Sequence, residues 1–299
     1  MHDFWVKKLL EFSVTIAVIV FSSYVVFYAI PNFQKEGSLP FLYYADAHYS
    51  FFDYVKEIAS PFDVTFPNYT TGRQTNFFEY IQEPYMYSMT LIVLSLLLTI
   101  VCATVLACIY VLSNETMKRM IERISVWMES VPDLLWIFAL QLFLVWIFKK
   151  TGMEIVAIYA FGDTKAYFLP VLCMTLVPTL HFFRTIVLFA QREQTKPYIE
   201  FVYSQGFPKW YIVIFHLLRN TLYHLIHQLR VLFVFMISTL FLVEFAFNIY
   251  GFTGFIWKPG FLTPPTLCLW LLLLYVPFFI VFSVMSYFIY RIVGREAYE

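Results

Sequence analysis

The chain has 299 residues, with 20 basic and 20 acidic side chains, so it carries no formal net charge; 61% of it is apolar and only 13% is charged. A soluble domain of this size needs far more charge to cover its surface. Composition therefore places the chain in a membrane, and zero net charge offers nucleic acid no basic face.

A membrane helix needs about 20 mainly apolar residues. In chain order that length is reached at about 9–30, 86–112, 124–148, 166–190, 212–247 and 266–290, which predicts an all-α integral membrane protein with six spans. Lys7 and Lys8 precede the first stretch as they would in a signal peptide, but no small-residue cleavage site follows, so the first helix is expected to be retained. Between the first two spans, residues 31–84 hold Asp46, Asp53, Glu57, Asp63, Glu79 and Glu83 and the turn signal FPNYTTG, and they predict a small capping structure. The fifth stretch is over-long, which places its start outside the hydrocarbon. Cys102, Cys108, Cys173 and Cys268 lie in apolar runs and read as small buried hydrophobes, not as disulfides or zinc ligands. No internal repeat or low-complexity linker divides the chain, so residues 1–299 read as one transmembrane domain.

Lys and Arg set the expected orientation. Lys7, Lys8, Lys118, Arg119, Arg123, Arg192, Lys196, Lys209, Arg219, Arg291 and Arg295 fall on one side, mostly in short connections. Both termini are therefore expected in the cytoplasm of a cell membrane, with residues 31–84 outside and 191–220 inside.

Residues 191–220 read QREQTKPYIEFVYSQGFPKWYIVIFHLLRN. Pro197 suits a first helical turn, where its missing N–H is not needed. Ile199, Val202 and Tyr203 follow at i, i+3, i+4 as one apolar stripe. Gly206 stops the helix, because Gly takes a left-handed position without steric penalty. Pro208 opens a second helix that continues into the fifth span. The pattern is a short surface helix, a corner and a re-entering helix, suited to docking in a partner's groove.

Those residues resemble the cytoplasmic loop of permease subunits of bacterial ABC importers, the dipeptide/oligopeptide and nickel type above all. The matching positions are Tyr198, Gly206, His216, Arg219 and Asn220. Further matches are Arg184 in the preceding span, Pro132 at the third span's start, YFLPVL at 167–172, and Glu244, Phe247, Gly251 and Gly254 in FLVEFAFNIYGFTGF. Phe201, Val202 and Tyr203 stand where the family has small residues, Val187 replaces a second Arg, and His224 replaces a Pro. Six spans with an extracellular segment after the first resemble the B member of a B/C permease pair.

The resemblance implies a permease subunit of a binding-protein-dependent importer that moves solute by ATP-driven alternating access. It implies a second permease subunit as a heterodimer partner, two ATPase subunits and an extracellular solute-binding protein. Residues 196–209 would couple ATP hydrolysis to transport, with Tyr198, Glu200, Gly206, Lys209, His216, Arg219 and Asn220 as the coupling set. Peptide is the implied solute class, with nickel chelates or other small solutes open. No phosphate-cradling G-x-x-x-x-G-K-[ST] occurs, so ATP and Mg belong to partner subunits, and no catalytic residue or cofactor is expected in this chain.

Other polar residues read locally. On an ideal helix His216, His224 and His227 fall at 0, about 80 and about 20 degrees, a face that admits a metal reading, although no Glu-x-x-His ligand pattern accompanies it. A membrane-embedded His-metal enzyme is thus one alternative function; a degenerate permease serving as sensor or scaffold is another. Arg184 snorkels to the cytoplasmic side or braces the corner by pairing with Glu193 or Glu200. Glu129 and Asp133 flank Pro132, where helix starts favour carboxylates. Ser238 and Thr239 interrupt an apolar helix centre and, with Arg184 and Glu244, form the expected gate and solute-facing set.

Overall fold

The computed structural model describes residues 2–29, 50–68, 72–152, 165–257 and 261–293. It is built almost wholly of helices: α1 (His2–Ala29), α2 (Phe51–Ala59), α3 (Phe77–Leu112), α4 (Glu115–Glu129), α5 (Asp133–Thr151), α6 (Phe168–Gln194), α7 (Pro197–Ser204), α8 (Lys209–Tyr211), α9 (Arg219–Ala246) and α10 (Pro264–Val293). Six of these are long and apolar enough to cross a membrane, namely α1, α3, α5, α6, α9 and α10. The chain is a multi-pass helical membrane protein, as expected. In hydrocarbon each backbone N–H and C=O must find a partner within its own segment, which an α-helix provides.

Two boundaries differ most from the sequence reading. The second span begins at Phe77, nine residues early, because Asn76 caps it: its Oδ1 accepts from the N–H groups of Phe78 (2.9 Å) and Glu79 (3.4 Å). Glu79, Glu83 and Pro84 had disguised those first turns as loop. The third span begins at Asp133, not at 124, and α4 is a separate helix capped by Asn114, whose side chain accepts from Met117 N–H at 2.9 Å. Pro132 is the residue before α5, so the chain breaks at Ser130–Pro132.

The chain forms two compact units. The first comprises Met1–Tyr85 and Gly254–Glu299. In it α1 packs along α10, with Phe12 against Tyr275 and Phe279 and Trp5 against Tyr287. The amphipathic α2 buries Tyr54 completely; its hydroxyl donates to Val20 O at 3.0 Å and meets Ser23 Oγ at 2.5 Å. Burial raises the pKa of this phenol far above its ordinary value, so it stays a neutral donor. A hairpin of β1 (Thr65–Asn68) and β2 (Arg73–Asn76), antiparallel with Thr65 opposite Asn76, follows a 3-10 turn at Pro61–Asp63. Phe66, Phe77, Tyr80, Phe255 and Phe261 form one aromatic cluster beneath the hairpin. Part of the heavy aromatic content is thus a packed core. Of the segment expected to form a capping structure, residues 50–68 and 72–76 fold as α2, the 3-10 turn and the hairpin strands, and 77–84 begin α3; residues 31–49 lie outside the described residues.

The second unit spans Met86–Thr253. Its centre is the pair α6 and α9, with α5 packed on both. α6 is the most enclosed span, with Leu169, Met174, Val177, Leu180, Phe183, Ile186 and Ala190 all buried. Of the cysteines, Cys173 and Cys268 are buried as expected, whereas Cys102 is exposed, on a face of α3 shared with Leu98 and Val105. An exposed apolar face on a spanning helix is ordinary, since lipid takes the place of a protein neighbour.

Candidate functional site

Local chemistry sets the bent loop after α6. α7 starts at Pro197 and ends at Ser204; Gly206 follows with φ +78°, and Pro208 caps α8. Both signals read in the sequence operate as expected. Ile199 and Val202 are buried against Ala190, Ile212 and Leu217, with Val111 and Tyr198 packed alongside. Tyr203, the third member of the expected stripe, is instead exposed, as are Phe201, Phe207 and Trp210. The corner at Gly206 therefore carries a fixed apolar underside and an outer rim of four exposed aromatics.

A hydrogen-bonded chain locks the underside. Glu193 is buried and accepts Lys196 Nζ at 2.7 Å and the Tyr198 hydroxyl at 2.6 Å. The same hydroxyl accepts from Asn220 Nδ2 at 2.7 Å. Burial, then the Glu193 carboxylate, pushes the Tyr198 phenol up to about 12, so it remains a donor throughout the physiological range. Tyr198 and Asn220, two residues of the coupling set, thus meet across the corner. His216 lies tilted against Tyr211, ring centroids 5.8 Å apart; Arg219, Glu200 and Lys209 are exposed.

Between α8 and α9 runs a π-helical stretch, Ile212–Leu218. Its buried residues, Ile212, Val213, Leu217 and Leu218, recur every five positions, matching i→i+5 bonding. The sequence IVIFHLL is apolar nearly all round, so periodicity alone could not distinguish this from an α-helix. Such widened turns cluster at functional sites.

Within the spans, one face of α6 and α9 carries polar side chains among apolar ones. His181, Arg184 and Thr185 project from α6; Gln228, Val231, Phe235 and Ser238 follow one stripe of α9. His181, Thr185, Gln228, Val231 and Phe235, with Phe182 and Leu232 behind them, line a crevice of about 250 Å³. Arg184 Nη1 donates to Glu129 Oε2 at 2.5 Å. Glu193 and Glu200, the expected partners, are not the ones it uses, because Glu193 is already bonded to Lys196 and Tyr198. Glu129, which sequence reasoning treated as a helix-start residue, closes the end of α4 and is 10% exposed against 44% for Arg184. Its Oε1 has no hydrogen-bond partner among the described residues, and His181 Nδ1 stands 3.9 Å away. Ser238 is exposed and donates to Val234 O at 3.3 Å, whereas Thr239 is buried and donates to Asp133 Oδ2 at 3.2 Å, tying α9 to α5.

Glu244 is 2% exposed and held in a polar nest. Its carboxylate accepts Ser88 Oγ (2.5 Å), Thr253 N–H (2.8 Å) and Thr253 Oγ1 (2.5 Å), while Ser88 Oγ also accepts the Phe252 N–H at 2.8 Å. A Cβ on Gly251 would lie 2.2 Å from the carboxyl carbon, so only Gly fits there. Ser88 was the residue missed; a lone Ser in an apolar span carries no signal of its distant partner. Among the described residues no cluster of His, Cys, Asp or Glu could hold a metal ion, and the side chains of His224 and His227 lie outside the described residues.

A helical membrane protein with a locked corner on one face and a polar stripe within its spans is built like a transport subunit. Residues 95–297 match the family model of binding-protein-dependent transport system inner membrane components, more than half of the chain. The chain belongs to that family. It is an inner-membrane permease of a binding-protein-dependent ABC importer, a component that works with ATPase and solute-binding partners. No curated protein matches the chain.

The unequal burial of Glu129 and Arg184 makes their substitutions unequal. Removing Arg184 strands a nearly buried carboxylate, while removing Glu129 leaves a guanidinium that reaches polar surroundings. Arg184→Leu should destabilise the purified protein by roughly 2–3 kcal/mol, Glu129→Gln by less than about 1 kcal/mol, and the double variant should recover most of the loss. Thermal unfolding in detergent checks this; equal losses from the two single variants would contradict the arrangement. At the nest, Gly251→Ala should lower the melting temperature in the native background and much less in a Glu244→Ala background, where the colliding carboxyl is gone. Identical losses in both backgrounds would show that Gly251 is not packed against Glu244.

Proposed function

We propose that this permease couples ATP hydrolysis to solute import through the corner at residues 196–209, and that its solute is of the peptide type. The observation that carries the coupling reading is the exposed rim of Phe201, Tyr203, Phe207 and Trp210 around a corner whose underside is locked. Several exposed aromatics on one short loop outside the spans support a protein-binding surface. A rigid, packed α7 transmits a push; a floppy connection absorbs it. The direct link from Tyr198 to Asn220 carries movement of α7 into α9, and the Glu193 link carries it into α6. ATP-driven closure of two ATPase subunits would then rotate these spans as bodies, the alternating-access mechanism.

The solute route runs along the polar face of α6 and α9. Charged and hydrogen-bonding side chains at membrane depth face water or a partner, not lipid. His181, Arg184 and Gln228 meet that condition, so they line this chain's half of the route, with Thr185 and Ser238, whose hydroxyls bond back to their own helices, alongside them and a second permease subunit completing it. Buried Thr239 acts at a distance, by fixing α9 on Asp133. Glu244 holds the turn after α9 and bounds the gate from its far end. The peptide assignment is supported by the resemblance of Tyr198, Gly206, His216, Arg219 and Asn220 to the dipeptide/oligopeptide and nickel permease loop.

The corner is tested through backbone strain. No atom lies within 4 Å of a Cβ built on Gly206, so a substitution there meets only the cost of positive φ. Gly206→Val should cost about 1–2 kcal/mol locally, leaving the chain inserted and abundant but weakening copurification of the ATPase subunits or uncoupling hydrolysis from uptake. Gly206→Asn, which tolerates left-handed backbone, should retain most of both. Full uptake by Gly206→Val would remove the coupling role.

Orientation follows the Lys and Arg distribution, with both termini and α7 in the cytoplasm. In a Cys-free background, Ser60→Cys, at the exposed end of α2, should react with an impermeant maleimide added from outside. Reaction only after permeabilisation would invert the topology and move α7 away from any cytoplasmic ATPase.

A further inference from the structure

α4 joins two spans, yet it is neither a span nor a simple link. Its 15 residues, about 22 Å of helix at 1.5 Å per residue, are tethered at both ends to the same membrane face, by Ser113–Asn114 to α3 and by Ser130–Pro132 to α5. Three faces can be told apart. The first turns to the protein: Ser125 is buried, Glu122 accepts the Tyr110 hydroxyl, and Glu129 takes Arg184. On the second, Met117, Met120, Ile124 and Trp127 recur at i, i+3, i+7, i+10, all exposed, with Trp127 the most so at 64%. The third carries Arg119 and Arg123, both exposed and beside the apolar stripe.

Ordinary surface helices do not look like this. One face is already satisfied by α3 and α6, so the apolar stripe is surplus to the core. It is not placed to face water either. Trp127 contacts Trp136 edge to face at 6.1 Å, and Trp136, in the first turns of α5, donates its indole N–H to Met128 O at 3.1 Å. The two Trp side chains therefore mark a common depth, that of a span's entry into the bilayer, which is where Trp concentrates. Both acids of the helix's second half bond on the protein side, Glu122 to Tyr110 and Glu129 to Arg184, although Glu122 stays exposed; the charges flanking the apolar stripe are the cations Arg123 and, one turn before it, Arg119. Apolar stripe, interfacial Trp and flanking Arg together are the pattern of a helix lying in the membrane plane on anionic lipid.

We propose that α4 is an in-plane anchor. Met117, Met120, Ile124 and Trp127 sit at the boundary between headgroups and acyl chains, and Arg119 and Arg123 bind the phosphates of anionic lipids in that leaflet. Because Glu129, at the end of the same helix, grips Arg184 in α6, the anchor also fixes α6 at a set depth. This role does not depend on which solute the permease moves, nor on whether the corner couples to ATP.

The test uses the full chain in bilayer nanodiscs of phosphatidylcholine containing phosphatidylglycerol, with bromine placed on the acyl chains of one lipid or the other. The fluorescence lost in Trp127→Phe defines the Trp127 signal. That signal should be quenched by brominated lipid, and about twofold more strongly when the bromine is on phosphatidylglycerol than on an equal amount of phosphatidylcholine. Arg119→Gln with Arg123→Gln should abolish that preference while leaving the quenching. Equal quenching by the two lipids in the native chain would overturn headgroup recognition. A Trp127 signal reached by aqueous iodide, or by neither iodide nor brominated lipid, would overturn the anchor and assign the stripe to water or to a protein partner.

Discussion

A polar group carried into hydrocarbon is costly unless it meets a partner there, and this constraint shapes the molecule at each scale. For the backbone the solution is local, which is why the spans are uninterrupted helices. For side chains it is not local, and each unsatisfied group draws two or three elements together. Glu244 gathers Ser88 from α3 and Thr253 from the turn beyond α9. Asp133 gathers Thr239, and Glu129 gathers Arg184. Where these contacts fall, helices are held at fixed points along their lengths.

The corner after α6 obeys a different logic because it lies outside the spans. Water competes for hydrogen bonds there, so stability comes from enclosing the polar chain beneath apolar cover. Ile199 and Val202 supply the cover, and Glu193, Tyr198 and Asn220 supply the chain. The π-helical stretch Ile212–Leu218 follows directly and leads into α9, its buried residues extending the same apolar cover.

Several features were legible because they are written locally. Pro197, Gly206 and Pro208 state the corner's geometry residue by residue, and the structure carries it out. The resemblance carried by Tyr198, Gly206, His216, Arg219 and Asn220 reached the broad family of binding-protein-dependent permeases. Other features were misread for identifiable reasons. The end of α4, residues 124–129, was merged into the third span because Ile124, Val126 and Trp127 add to the hydropathy of α5; Pro132 and Asp133 were the signals that separate them. Tyr203 was assigned to the buried stripe by spacing, but a helix of two turns has room to bury only Ile199 and Val202.

By itself the sequence determined the membrane, the six spans, the corner and the family, because apolar length, positive backbone φ and helix caps act within a few residues of chain. Only the tertiary structure decided which polar groups meet. Glu129 and Arg184 are separated by 55 positions, Asp133 and Thr239 by 106, and Ser88 and Glu244 by 156. No local pattern encodes such pairings: a lone Ser or Glu in an apolar helix has the same neighbours whichever partner it finds. Packing of α6 on α9 and α5 selects the partner, by bringing one candidate within hydrogen-bonding reach and leaving the others in lipid.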